Sequence, residues 1–137
     1  MIKHRRYSTR NGFRCWSDIY LIGHKMSFSG TEYNIVSYGV DDNGILNYKE
    51  LEEKLYKYKP KMVLVGASSY SREIDYARRY DIIQGYKLEN MISHEEPPYY
   101  VVDEAHVAGL VAGGVHQNPC KWADVVTSTT HKSLRRS

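Results

Sequence analysis

The run Tyr99-Tyr100-Val101-Val102-Asp103-Glu104-Ala105-His106 is answered downstream by Asp124-Val125-Val126-Thr127-Ser128-Thr129-Thr130-His131-Lys132. Each starts as aromatic or β-branched residues and breaks into polar ones at its C-terminal end. Such runs predict two buried strands that deliver side chains to one rim of a sheet. In open α/β sheets the carboxyl ends of the strands are where ligands are handled. An acid and a His leave the first strand; hydroxyls, a His and a Lys leave the second. Met62-Val63-Leu64-Val65 predicts a further, wholly apolar strand, with Gly66-Ala67-Ser68-Ser69 leaving its end.

A Lys with an Asp nearby is the pair that a pyridoxal phosphate site needs, the amine for a Schiff base and the carboxylate for the pyridinium nitrogen. A carboxylate in contact with that nitrogen favours its protonated form by roughly 1.4–4 kcal/mol. Asp103 is placed for this role, whereas Glu104, the next residue of an extended strand, points elsewhere. The pair alone does not decide the matter. A Lys at a strand end is usually solvated, and a run of Thr usually expresses β-propensity.

The flanking residues narrow the choice. Val102-Asp103-Glu104-Ala105-His106-Val107-Ala108-Gly109-Leu110-Val111-Ala112-Gly113-Gly114-Val115, followed by Val125-Val126-Thr127-Ser128-Thr129-Thr130-His131-Lys132-Ser133-Leu134-Arg135, closely resembles serine hydroxymethyltransferase. Phe28-Ser29-Gly30, Tyr33-Asn34-Ile35-Val36, Tyr38-Gly39, Lys59-Pro60-Lys61-Met62 and Ser69-Tyr70-Ser71 are similar to the same family in the same order. The resemblance runs from about Gly23 to Arg135. It implies an α/β fold: part of the large domain of a fold-type I pyridoxal-phosphate-dependent transferase, with a mixed, mainly parallel sheet flanked by helices. It also implies transfer of the hydroxymethyl carbon of serine to tetrahydrofolate, giving glycine, in a homodimer whose sites borrow residues from both subunits.

Carried onto this sequence, the resemblance makes Lys132 the cofactor lysine and Asp103 the partner of the ring nitrogen. It sets His106 and Ser68 near the phenolic oxygen, has Thr129 assist the exchange of Lys132 for substrate, and gives His131 an influence on substrate specificity. Gly23-His24-Lys25 stands where the family has a Gly-Gly-His segment whose His stacks on the cofactor ring. One of the two glycines is missing, so His24 reads either as the stacking His or as a loop His. Without the resemblance, Ser68 reads equally as a cap for the next helix. Glu104 occupies a position where the family usually has an apolar residue.

Two rival readings compete with this one. Tyr100 to His106 also matches the nucleotide-hydrolysis motif of DEAH-type helicases, but that chemistry needs an upstream Gly-x-x-x-x-Gly-Lys-Ser/Thr loop, which this sequence lacks. The stronger rival is a truncated, catalytically inactive relative. In the family, the cofactor phosphate and the substrate carboxylate are held largely by segments outside the span 23–137, and Arg135-Arg136-Ser137 replaces the Gly-rich continuation expected after Lys132.

Composition sets outer bounds. The chain has 137 residues, 42% hydrophobic and 26% charged, which suits at most one soluble globular domain. A net charge of +3 with no aromatic-interleaved basic patch argues against a nucleic-acid partner. No run reaches the length of a membrane span. Cys15 and Cys120 lack metal-ligand spacing and read as reduced thiols in a reducing compartment, the cytoplasm. Lys3, Arg5, Arg6, Arg10 and Arg14 precede the first acid, Asp18. That start has the composition of a mitochondrial targeting peptide and equally of a plain basic tail. Residues 1–22 are thus a basic segment without assignment, and 23–137 a partial transferase domain.

Local patterns fill in the remainder. Trp16 to Ile22 predicts a short strand, and Tyr33 to Val40 another. Asp41-Asp42-Asn43-Gly44 is a turn signal. Asn47 with Glu50 has the spacing of a capping box for a helix burying Tyr48, Leu51, Leu55 and Tyr58, which Pro60 ends. A second helix is expected over Glu73 to Gln84, with Arg78 and Arg79 on its solvated face. Gly85 to Pro98 reads as a polar surface insertion, and Val107 to Gly114 as a short helix or irregular segment packed beneath the rim. The strand opened by Asp124 is expected to reach Lys132.

Overall fold

The structure, a computed structural model, describes residues 28–68 and 70–135. Its elements run α1 (Phe28–Glu32), α2 (Tyr48–Tyr58), β1 (Met62–Gly66), α3 (Tyr76–Glu89), β2 (Tyr99–Asp103), α4 (Ala108–Ala112), a 3₁₀ turn (Pro119–Lys121) and β3 (Val125–Thr127). The strands form a three-stranded sheet in the order β1-β2-β3, parallel throughout. Parallel neighbours require crossovers. Here α3 connects β1 to β2, while α4 and the 3₁₀ turn connect β2 to β3. The expected α/β architecture is therefore present.

Alternation along the strands decides which face is the core. Val63 and Val65 of β1 and Tyr100 and Val102 of β2 are buried, and they join Leu51 and Leu55 of α2 and Ile83 and Tyr86 of α3 in one cluster. Full burial of each aliphatic side chain contributes about 1.5–3 kcal/mol. The opposite face carries Met62 (56% exposed), Tyr99 (41%) and Val125 (50%). Leu64, Val101 and Asp103 between them are only half-buried, although parallel sheets are normally covered on both faces.

Several local expectations need correction. Tyr33 to Val40 is not a strand: only Val40 pairs, in an isolated antiparallel bridge to Leu46, because among the described residues no neighbouring strand runs beside the segment. The segment is held by side chains instead, as Tyr38 donates its hydroxyl to the Leu64 carbonyl at 3.0 Å. The capping box closes on one side only. Asn47 Oδ1 accepts from Glu50 N at 3.0 Å, but the Glu50 carboxylate turns to Gly39 N, 2.9 Å away.

The helix expected over Glu73 to Gln84 starts later and runs longer. Asp75 is its cap, accepting from Arg78 N at 2.9 Å. It continues through Gly85 to Glu89 because Tyr86 and Lys87 extend its buried stripe. That burial outweighs the roughly 1 kcal/mol that a helical glycine costs. The expected surface insertion accordingly begins as helix, through Glu89, and its loop is pinned by Lys87, 2% exposed, whose Nζ donates to the His94 carbonyl at 2.9 Å.

Arg78 lies on the solvated face as expected, but Arg79 does not: it is 0% exposed. Its Nη1 donates to Tyr38 Oη at 2.6 Å, and its guanidinium lies over the rings of Tyr38 (5.2 Å) and Tyr48 (5.5 Å). Charge alone misplaced it, because a planar guanidinium can be accommodated by aromatic faces. Trp16 to Ile22 and the basic segment 1–22 lie outside the described residues, as does His24.

Candidate functional site at the strand ends

The strand ends bring Gly66, Asp103 and Thr127 into one row, since the registers pair Gly66 with Asp103 and Asp103 with Thr127. Side chains in such a row share a face, and for Asp103 the alternation makes it the face away from the helices. Asp103 Oδ1 accepts from Ala105 N at 3.1 Å, which folds the chain sharply after β2. Val107 N donates to the Glu104 carbonyl at 2.8 Å and completes the turn that presents His106. His106 is exposed, and its Nδ1 stands 2.8 Å from Ser68 Oγ, at the end of β1. Ser68 does not cap the next helix; Asp75 does. Of the residues singled out from sequence, Ser68 and His106 are in contact, and Asp103 ends the strand that leads into His106.

The downstream run behaves differently from expectation. β3 ends at Thr127 rather than reaching Lys132, and it is an edge strand with Val125 and Thr127 exposed, not a buried one. Pairing on one side only gives Ser128 to Lys132 no ladder to follow. Asp124, just before β3, anchors it by accepting from Tyr100 N at 2.7 Å. Thr129 Oγ1 is shielded from solvent and has no hydrogen-bond partner among the described residues. His131 is exposed and Lys132 half-buried, on a turn closed by Arg135 N donating to the Lys132 carbonyl at 3.0 Å.

That turn is tied to the first motif by a contact that the motif spacing did not reveal. Gly109 N donates to Ser133 Oγ at 2.9 Å. A Cβ on Gly109 would lie 2.7 Å from the Ser133 carbonyl oxygen, closer than real Cβ atoms come. The glycine is what lets α4 and the lysine turn touch. The signal was visible only as a Gly in one block and a Ser in the other, with nothing to say that they meet.

Glu104 is the unexpected group. It continues the alternation of Tyr100 and Val102 and so projects to the helix side, away from Asp103. Its Oε2 is shielded and has no hydrogen-bond partner among the described residues. Burial pushes its carboxyl above the usual range, the neighbouring Asp103 charge adds to this, and His116 opposes it. His116 and Gln117 also escaped the sequence reading. Gln117 Oε1 accepts from Tyr76 N (2.6 Å) and Ala77 N (3.1 Å), holding the start of α3.

The arrangement suits pyridoxal phosphate on three counts. Gly66 has no side chain beside Asp103, where a Cβ would sit 3.7 Å from Asp103 Cβ, so this stretch of the row stays open to a flat ring. The Ser68–His106 pair offers polar atoms of the kind a phenolic oxygen needs. Thr129 supplies an orphaned hydroxyl next to the lysine turn. Chemically, the ends of β1 and β2 offer a carboxylate, an imidazole and a hydroxyl, and the segment after β3 a further hydroxyl and a primary amine.

Comparison with known proteins agrees. A family model described as serine hydroxymethyltransferase matches residues 17–137. The serine hydroxymethyltransferase of Buchnera aphidicola subsp. Acyrthosiphon pisum (strain 5A) is 49% identical over 112 residues, covering 82% of this chain and 24% of that protein. The serine hydroxymethyltransferase of Dichelobacter nodosus is 45% identical and serine hydroxymethyltransferase 2 of Pseudomonas putida 46%, each over 113 residues that cover 82% of this chain and 25% of the relative. The chain spans about a quarter of the length of the curated relatives it matches.

Proposed function

The chain belongs to the serine hydroxymethyltransferase family, and on that premise we propose that it serves the pyridoxal-phosphate-dependent interconversion of serine and glycine, with tetrahydrofolate as the one-carbon acceptor. The observation that carries the reading is the Ser68–His106 contact at the ends of the adjacent parallel strands β1 and β2, the second of which ends at Asp103. Bound there, pyridoxal phosphate would supply an electron sink for bonds at an amino acid's α-carbon.

In this reading the chain's own residues have distinct tasks. Lys132 would contribute the amine that holds the cofactor covalently. Asp103 would keep a proton on the ring nitrogen by opposite charge. His106 and Ser68 would hold the phenolic oxygen, and Thr129 would assist the exchange of Lys132 for substrate. His131 would influence substrate specificity, and the role carried over to His24 falls outside the described residues. Serine, glycine and tetrahydrofolate are the small-molecule partners, and a homodimer completes the site.

One observation favours a second reading for the chain by itself. The face that bears Asp103 is only half-buried among the described residues, so a cofactor there gains little from exclusion of water. Alone, the 137-residue chain then binds pyridoxal phosphate weakly and turns over little, as a partial site would. The test is formation of glycine from serine with tetrahydrofolate, alongside absorbance of protein-bound pyridoxal phosphate. A cofactor band that persists at full strength in Lys132→Ala contradicts the assignment.

A further inference from the structure

We propose that a cleft at the C-terminal end of α3 binds a small carboxylate with an apolar body, the carboxylate pairing with Lys87 and the body resting against Leu88 and Ile92. This goes beyond the reading above and does not rest on it. Because β1 and β2 are parallel, α3 runs back from the rim to the start of β2. The cleft therefore lies at the opposite end of the sheet from Ser68, Asp103 and His106.

The cleft has a volume of about 350 Å³, within the range of small-molecule sites, and is lined by Gln84, Gly85, Lys87, Leu88, Ile92 and His94. These residues belong to the end of α3 and the loop that follows it. Gly85 keeps the space open, since nothing lies within 4 Å of where a Cβ at this position would stand. Leu88, 80% exposed, and Ile92 supply apolar surface. A hydrocarbon body that covers this surface removes it from water.

Lys87 sets the charge of the ligand. It is 2% exposed, and a lysine buried to this degree is normally paired with an acid. Among the described residues the ion pair is Lys54 with Glu50, and no carboxylate meets Lys87. An ammonium carries three donors and no acceptor. One donor goes to the His94 carbonyl at 2.9 Å, and among the described residues the other two have no acceptor. The acids nearest in sequence are engaged or outside the cleft: Glu89 accepts from Tyr56 Oη, Glu96 from Ser93 N at 3.1 Å, and Glu95 is exposed. The Gln84 amide and the His94 ring, whose Nε2 stands 3.4 Å from Tyr80 Oη, add polar groups to the wall. A buried cation without its counter-ion is costly, and a carboxylate supplies both the charge and the acceptors that Lys87 lacks.

The experiment titrates the full chain with benzoate, following the backbone amide shifts of residues 84–94 by NMR. Benzyl alcohol, which lacks the charge, and acetate, which lacks the body, are titrated alongside. Benzoate should give saturable shifts in this stretch and bind at least about tenfold more tightly than either control. Lys87→Met keeps the apolar stem and removes the cation; it should weaken benzoate by about tenfold or more and leave benzyl alcohol unchanged. Gly85→Leu favours the helix and fills the open space, so it should remove binding of both. If Lys87→Met does not fold, Gly85→Leu decides the place of binding and the benzyl alcohol comparison decides the charge. No saturation by about 10 mM benzoate, equal affinity for benzyl alcohol, or benzoate affinity unchanged in either folded variant overturns the proposal.

Discussion

Replacing Gly109 by Ala should separate the two motifs while leaving each intact. The added Cβ would sit 2.7 Å from the Ser133 carbonyl oxygen and 3.0 Å from both its carbonyl carbon and its Cβ. These are atoms of the lysine turn, two of them backbone, so the turn must move away from α4. Losing the bond from Gly109 N to Ser133 Oγ costs about 1 kcal/mol. Strain from forcing a methyl group into a closed contact adds roughly 1–3 kcal/mol. Against this, Ala in place of a helical Gly contributes about 1 kcal/mol. The net is a destabilisation of about 1–3 kcal/mol, or roughly 3–10 °C in melting temperature for a domain of this size. Gly85→Ala is the control, because nothing lies within 4 Å of where its Cβ would stand and only the helix gain should remain. Thermal melts of both variants, with pyridoxal phosphate titration of each, measure the difference. If Gly109→Ala melts at or above wild type, as Gly85→Ala should, and binds cofactor normally, the contact does not position Lys132.

Two further outcomes follow from groups away from the rim. Arg79 Nε and Nη2 have no hydrogen-bond partner among the described residues, so Arg79→Met should be neutral or stabilising, whereas Arg79→Ala should cost about 2–4 kcal/mol by leaving a cavity; denaturant melts separate the two. For Glu50, burial pushes the carboxyl up, but the Lys54 ammonium and the Gly39 N–H together hold it below the usual range. Its contribution is therefore present above the unfolded carboxyl's pKa and lost as pH falls through the lowered one, and Glu50→Gln should flatten that acid limb of the stability profile.

How legible the molecule was depended on how local each signal is. The β1 and β2 runs, the Asn47 cap and the Tyr48-Leu51-Leu55 stripe were readable because alternation and helical spacing are properties of adjacent residues. The place of Asp103 and His106 at the end of β2 was readable because a strand end fixes where its next residues go. What failed needed tertiary information. Arg79 looked solvated until Tyr38 and Tyr48 were seen to shelter it. Tyr33 to Val40 has the composition of a strand, but among the described residues it pairs only through the Val40–Leu46 bridge. Gly85 looked like a helix stop, yet Tyr86 and Lys87 are buried beyond it. The Gly109–Ser133 contact and the hold of Gln117 on the start of α3 join residues far apart in sequence, and no spacing rule announces them.

The central claim is that Lys132 is the amine that answers Asp103 across one cofactor ring. Borohydride reduction of the chain with bound pyridoxal phosphate, followed by peptide mapping, tests it most directly. The account predicts a phosphopyridoxyl group on the peptide carrying Lys132, and its loss in Lys132→Ala. A label spread over other lysines, such as Lys87 or Lys121, and unchanged in that variant would contradict it.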